Sequence, residues 1–154
     1  MSSQPHVAAC NAATSSTKRR CCSTGITLSP EGTNQSTASF FHAWQWNMKV
    51  TQANQAWVPS AGGAGRRVCV LDTGVDPGHL DTNGKVDLAV SVNTNTSDPR
   101  NQTPTDYNFH GTFVSALISS NGIGIASVAP NARLCSVKVL GVTGSGSFTG
   151  FALR

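Results

Sequence analysis

The chain has 154 residues, a length that suits one domain and suffices to bury a core. Charged residues make up only 12% and glycines number 15, which excludes a coiled coil or long helical bundle and favours short elements joined by many turns. The net charge of +4 and the pI near 9.0 do not indicate nucleic-acid binding, because the basic residues are scattered apart from Lys18-Arg19-Arg20 and Arg66-Arg67.

Residues 1–39 are rich in Ser, Thr, Ala and Gln and show no hydrophobic period. They predict a disordered or propeptide-like leader, followed by a domain over 40–154. The start lacks the basic, apolar and small-residue blocks of a signal peptide, and no stretch is apolar enough to span a membrane. Lys18-Arg19-Arg20 reads as a solvated charge run rather than a processing site. From Phe40 the character changes. Trp46, Val50, Ala53 and Trp57 recur at helical spacing, and Pro59 ends the pattern. After a glycine-rich turn, Val68-Cys69-Val70-Leu71 predicts a strand buried on both faces that ends at Asp72. Val86, Leu88, Val90 and Val92 alternate with other residues and predict a second strand. Residues 93–108 are polar and loop-like.

His110 opens an apolar run to Ile118 that predicts a helix buried nearly all round, with Asn121-Gly122 as its stop. Arg133 to Leu140 predicts a third strand, Gly141 to Gly146 a loop, and Thr149 to Arg154 the start of another helix. Of the five cysteines, Cys69 and Cys135 lie in apolar runs and predict small buried thiols. Adjacent Cys21 and Cys22 are poorly placed to bridge each other. The odd count and the lack of a CxxC pair leave the redox compartment open. The sequons at Asn34, Asn95 and Asn101 carry little weight in a chain so rich in Asn, Ser and Thr.

Buried strands alternating with buried helices predict an α/β fold, with a mainly parallel sheet and helices on both faces. Such folds bind ligands outside the carboxyl ends of their strands. Asp72 stands at such an end, and His110 opens the helix after the second strand. Each alone is ordinary: a turn-forming Asp, and a His at a helix start. A phosphatase with an aspartate nucleophile would need a second Asp two residues on, where Gly74 stands.

The combination is more specific. Val70-Leu71-Asp72-Thr73-Gly74-Val75-Asp76 is followed by His110-Gly111-Thr112-Phe113-Val114-Ser115 and by Gly124-Ile125-Ala126-Ser127-Val128-Ala129-Pro130-Asn131-Ala132. Val137-Lys138-Val139-Leu140 and Gly144-Ser145-Gly146 come next. In these blocks and their order, residues 40–154 resemble the subtilase family of serine peptidases, whose triad runs Asp, His, Ser along the chain. Trp57 matches a tryptophan that often precedes the family's first strand. Phe113 stands where the family usually has His, and Ser115 where Ala is common.

The resemblance implies a subtilisin-like fold, here truncated, and a serine endopeptidase acting through an acyl-enzyme. It makes Asp72 the orienting carboxylate and His110 the general base and acid. Neither the family's oxyanion Asn nor its Gly-Thr-Ser-Met-Ala block occurs in the 154 residues. The chain alone is therefore expected to be inactive, needing a C-terminal half of the domain as partner, with no cofactor required for the chemistry. The alternative is a non-catalytic remnant or peptide-binding fragment. The resemblance also implies a polypeptide substrate added as a strand along Gly144-Ser145-Gly146, beside a pocket lined by Leu140, Phe148 and Phe151. It implies a calcium site at Asp81, Asn121 and the carbonyls of Ile123 and Ile125, although the segment from His110 to Asn121 is shorter than in calcium-binding members. Neither nucleic acid nor a membrane is an expected partner. Secretion is expected from the family, without a visible signal peptide.

Overall fold

A computed structural model describes residues 39–95 and 102–148. The leader up to residue 38, Cys10, Cys21, Cys22, the sequons at Asn34 and Asn101, Phe151 and the helix expected at Thr149 to Arg154 lie outside the described residues. In chain order the elements are α1 (Trp46–Val50), α2 (Ala53–Ala56), β1 (Arg67–Asp72), β2 (Val92–Asn93), α3 (His110–Ile118) and β3 (Arg133–Lys138). No helix among the described residues is long and apolar enough to cross a membrane.

The single helix expected around Trp46 to Trp57 is two short ones. Gln52 adopts a left-handed conformation (φ 56°) and breaks it. Met48 and Ala53 are both buried but five residues apart, which an unbroken helix would not turn to one side. The break lets Met48, Ala53 and Trp57 close on Ala126, while Trp46 and Val50 face outward. Polar groups fix this small core. The Trp57 Nε1–H donates to Val128 O (3.0 Å), and the Gln45 amide bonds both the carbonyl and the N–H of Ala126 (2.9 and 2.7 Å).

The sheet is parallel throughout, ordered β1-β3-β2. β1 runs beside β3 from Arg67↔Arg133 to Asp72↔Lys138, and Val92 of β2 faces Val137. The central strand, β3, is the one buried on both faces, with Leu134, Cys135, Ser136 and Lys138 all inaccessible. β1 at the edge instead buries Val70 and Asp72 and exposes Cys69 and Leu71, which corrects the expectation for that strand. Cys69 and Cys135 are register partners with Cα atoms 4.4 Å apart, and their sulfurs are joined in a disulfide. They are therefore not the pair of buried thiols expected.

The alternation from Val86 to Val92 also folds differently. Val86 makes an isolated bridge to Leu134, Leu88–Val90 form a 3₁₀ turn, and only Val92–Asn93 are strand. Leu88, Val90 and Val92 are exposed, so among the described residues nothing covers this stretch. Ser91 closes the turn instead, its hydroxyl donating to Asp87 O (2.8 Å).

Val70, Val75, Val86 and Leu134 form the main core, with Val114 and Ile118 of α3 packed on it. The best-buried residues of α3 are the small ones, Gly111, Thr112, Ser115 and Ala116, while Phe113 is exposed. The helix is thus buried on one side, not all round. Small residues on that side let it approach β1 closely.

Candidate catalytic site

Asp72 is the last residue of β1 and His110 the first of α3. Nδ1 of His110 lies 2.8 Å from Asp72 Oδ1 and 3.0 Å from Oδ2, so the imidazole N–H is shared between both oxygens. The Asp72 side chain is only 12% exposed, whereas that of His110 is 58% exposed. A shielded carboxylate thus holds an accessible ring. With Nδ1 engaged, the proton-accepting position of a neutral imidazole is Nε2.

Backbone contacts determine why the pair meets. Asp72 O accepts the N–H groups of Val139 and Leu140 (2.9 and 3.1 Å), which fixes the end of β1 against the exit of β3. The chain then turns at Gly74 (φ 115°), a conformation that favours glycine. A Cβ on Gly74 would lie 2.7 Å from the backbone of Thr105 and Asp106, and one on Gly111 only 2.1 Å from Gly74 O. Three backbone segments therefore meet at a separation that leaves no room for side chains.

A second carboxylate, Asp106, sits at this junction, within the stretch 93–108 whose sequence is polar and loop-like. Asp106 is 8% exposed. Its Oδ1 accepts from Thr73 Oγ1 (2.9 Å), Asn108 N (2.8 Å) and Phe109 N (3.1 Å), and its Oδ2 from Thr112 N (2.8 Å) and Thr112 Oγ1 (2.6 Å). Burial pushes the carboxyl upward, but the bonds from Thr112, Asn108 and Thr73 outweigh it and hold it below the ordinary range. Thr73 Oγ1 in turn accepts the Gly111 N–H (2.9 Å). Phe109, between these donors and His110, carries a positive φ of 86°, which a bulky residue rarely adopts. The available signal was the run Asp106, Asn108, His110, Thr112, with polar side chains at every second residue into a helix start. Lys138, also missed, is fully buried; its Nζ donates to Thr73 O and lies 6.0 Å from the Tyr107 ring centroid.

The other expected site residues fall in two places. Gly144-Ser145-Gly146 is solvent-exposed beyond β3 but is not extended throughout. Gly144 has φ 77° in a turn where its N–H donates to Gly141 O (2.9 Å) and Gly141 N–H donates to Ser145 O (2.7 Å). Gly146 lies against β3's exit, where a Cβ would come within 2.4 Å of Val139 O. Leu140 is half-buried and Phe148 is exposed, so the two form no enclosed pocket among the described residues. A broad groove lined by Phe40, Trp44, Tyr107, Phe109 and Phe113 borders α3, but neither Asp72 nor His110 lines it.

Asp81, Asn121, Ile123 and Ile125 do come together, in an arrangement that does not fit calcium. Buried Asp81 accepts the N–H groups of Ile123 (2.8 Å), Gly124 (3.1 Å) and Ile125 (3.2 Å). Donors therefore converge where a cation would need oxygens. The Ile123 carbonyl accepts from Phe40 N (2.9 Å), and the Ile125 carbonyl lies 2.8 Å from the Ser120 hydroxyl. Asn121 turns its Nδ2 toward the carbonyls of Leu80 and Asn83 (both 2.9 Å).

Comparison with known proteins supplies the wider context. A sequence model described as the subtilase family matches residues 63–152, a span that holds Asp72, His110 and Asp106. The chain is 34% identical over 117 residues to a thermophilic serine proteinase of Bacillus sp. (strain AK1), covering 74% of this chain and 28% of that protein. It is 37% identical over 116 residues to thermitase of Thermoactinomyces vulgaris, covering 73% and 39%. It is 38% identical over 109 residues to subtilisin Savinase of Lederbergia lenta, covering 70% and 38%. In each case the match spans well under half of the relative's length.

Proposed function

The chain belongs to the subtilase family, and we propose that Asp72 and His110 are two members of the Asp-His-Ser triad of a serine endopeptidase. The observation that carries this reading is the contact of His110 Nδ1 with the Asp72 carboxylate at 2.8 and 3.0 Å, at the carboxyl end of a parallel strand. A hydroxyl is a weak nucleophile at neutral pH and needs a base. Imidazole titrates near neutrality, so it can take the hydroxyl proton and return it to the leaving amine. The carboxylate on Nδ1 selects the tautomer that presents Nε2 and offsets the positive charge that forms as the proton arrives. The burial of Asp72 suits that role, because a less hydrated carboxylate interacts more strongly with the ring. The attacking serine and the oxyanion donor are supplied by sequence other than these 154 residues, which contain no Gly-Thr-Ser-Met-Ala block. The substrate is a polypeptide laid along the exposed stretch at Ser145 and Gly146. Acyl transfer through these groups requires no cofactor.

A chimaera tests the reading: residues 40–154 joined to the remainder of thermitase, assayed on a chromogenic peptide. The expected result is turnover by the chimaera and none by the 154-residue chain. His110→Ala should lower kcat by about 10⁶, and Asp72→Asn by about 10⁴. A folded chimaera that stays active with His110→Ala would refute the assignment.

A further inference from the structure

Asp106 takes no part in the proton transfers proposed above, yet it is the most heavily hydrogen-bonded carboxylate near the pair. Its contacts divide between two pieces of chain. On one side is Thr73, the residue that follows Asp72. On the other are Asn108, Phe109 and Thr112, which flank His110 before and after. We propose that Asp106 is a positioning residue for the Asp72–His110 pair, tying the end of β1 to the first turn of α3 through Thr73 and Thr112. This inference rests on reading that pair as catalytic.

The local chemistry distinguishes this role from an ordinary helix cap. The residue at the cap position of α3 is Phe109, whose side chain makes no capping bond and whose backbone is held at φ 86°. Asp106 therefore reaches past the cap, accepting the N–H groups of Asn108 and Phe109 and so supporting the strained turn that aims His110. Its link to Thr73 is reciprocal. The Thr73 hydroxyl donates to Asp106 and accepts from Gly111 N–H, so one buried hydroxyl joins the carboxylate, the strand end and the helix. Thr112 extends the tie, because its hydroxyl donates to Asp106 Oδ2 and accepts the Asp76 N–H (3.0 Å).

Replacing one oxygen tests the arrangement sharply. In Asp106→Asn an NH₂ group must take one of the two oxygen positions. At Oδ1 it would confront three donors, from Thr73, Asn108 and Phe109. At Oδ2 it would confront the Thr112 N–H and a hydroxyl already engaged with Asp76. Neither orientation satisfies the site, and unmet buried donors drive the segments apart.

The experiment is imidazole NMR on the full chain. In the wild type, the His110 Nδ1–H should give a slowly exchanging low-field signal, assigned by its loss in Asp72→Asn. Asp106→Asn and Thr73→Ala should speed its exchange by about tenfold or more, whereas Thr73→Ser, which keeps the hydroxyl, should retain the wild-type rate. The Trp57 indole N–H, in the separate core around Met48 and Ala126, reports overall folding and should not move. A folded Asp106→Asn chain with the wild-type exchange rate would overturn the proposal and leave the pair's own assignment standing. If Asp106→Asn does not fold, Thr73→Ala reads the same link, and an unchanged signal there overturns the proposal equally. Absence of the signal from the wild type would remove the pair itself, and the positioning role with it.

Discussion

Gly111→Ala measures how closely α3 must approach the end of β1. In an ordinary exposed helix this change stabilises by about 0.8–1 kcal/mol, since alanine is the better helix former. Here the added methyl would stand 2.1 Å from Gly74 O and 3.1 Å from both Gly74 N and Thr73 Oγ1. Carbon and oxygen do not pack closer than about 3 Å, so the two segments must separate by roughly 1 Å. Gly74 cannot yield easily, because the backbone of Thr105 and Asp106 lies close on another side of it. The helix therefore moves, and it carries His110 with it. A Nδ1–Oδ1 distance of 2.8 Å would stretch to roughly 3.8 Å, outside hydrogen-bond range. A backbone clash at 2.1 Å falls at the upper end of the roughly 1–3 kcal/mol that overpacking costs, about 2–3 kcal/mol, so the net effect after the helix gain is a loss of about 1–2 kcal/mol. For a domain of this size that lowers Tm by about 3–10 °C. Thermal unfolding followed by circular dichroism provides the assay. Gly78→Ala is the control, because its methyl would meet only the Asp76 side chain, at 3.3 Å. An unchanged or raised Tm for Gly111→Ala would show that α3 does not pack on β1 as described.

Two further outcomes follow from the other buried carboxylates. Because N–H donors surround Asp81, melting curves in excess calcium and in EDTA should coincide, while Asp81→Ala should cost about 2–3 kcal/mol through unmet donors; a clear rise in Tm on adding calcium would contradict this. Asp106 is held below the ordinary carboxylate range, so its contribution to stability is complete above that range and is lost as pH falls through its folded value. Acid titration of Tm should therefore fall more steeply below about pH 4 for the wild type than for Asp106→Asn, and parallel curves would exclude that linkage.

The residues most legible in the sequence were those whose identity is set by chemistry at a fixed place. Asp72 and His110 stood out because each carried a local block of matching residues and both fell at element boundaries. The parallel α/β arrangement followed from short apolar runs in alternation. What was illegible depended on partners far along the chain. Whether β1 or β3 would be central cannot be read from Val68 to Leu71 alone, since both segments have similar apolar runs. Leu88, Val90 and Val92 are exposed because no described residue covers them, and local alternation does not register what lies above a strand. Asp106 is a polar residue in a polar stretch, and only the folded turn converts it into a buried acceptor of five donors. Asp81 meets Ile123 and Ile125 in the fold, but which way the backbone faces, N–H or carbonyl toward the carboxylate, is a property of loop conformation rather than of residue type.

The bond between Cys69 and Cys135, 66 positions apart, closes a covalent ring. Asp72, Asp106 and His110 all lie inside it. A single backbone cut at any peptide bond between the two cysteines would open the ring into an arc without releasing a fragment. A nicked chain would keep its full mass under non-reducing electrophoresis and separate into two bands only after a thiol is added. The ring thus gives this segment tolerance to one proteolytic event: the halves that bear the aspartate and the histidine stay tethered through the sheet beneath them.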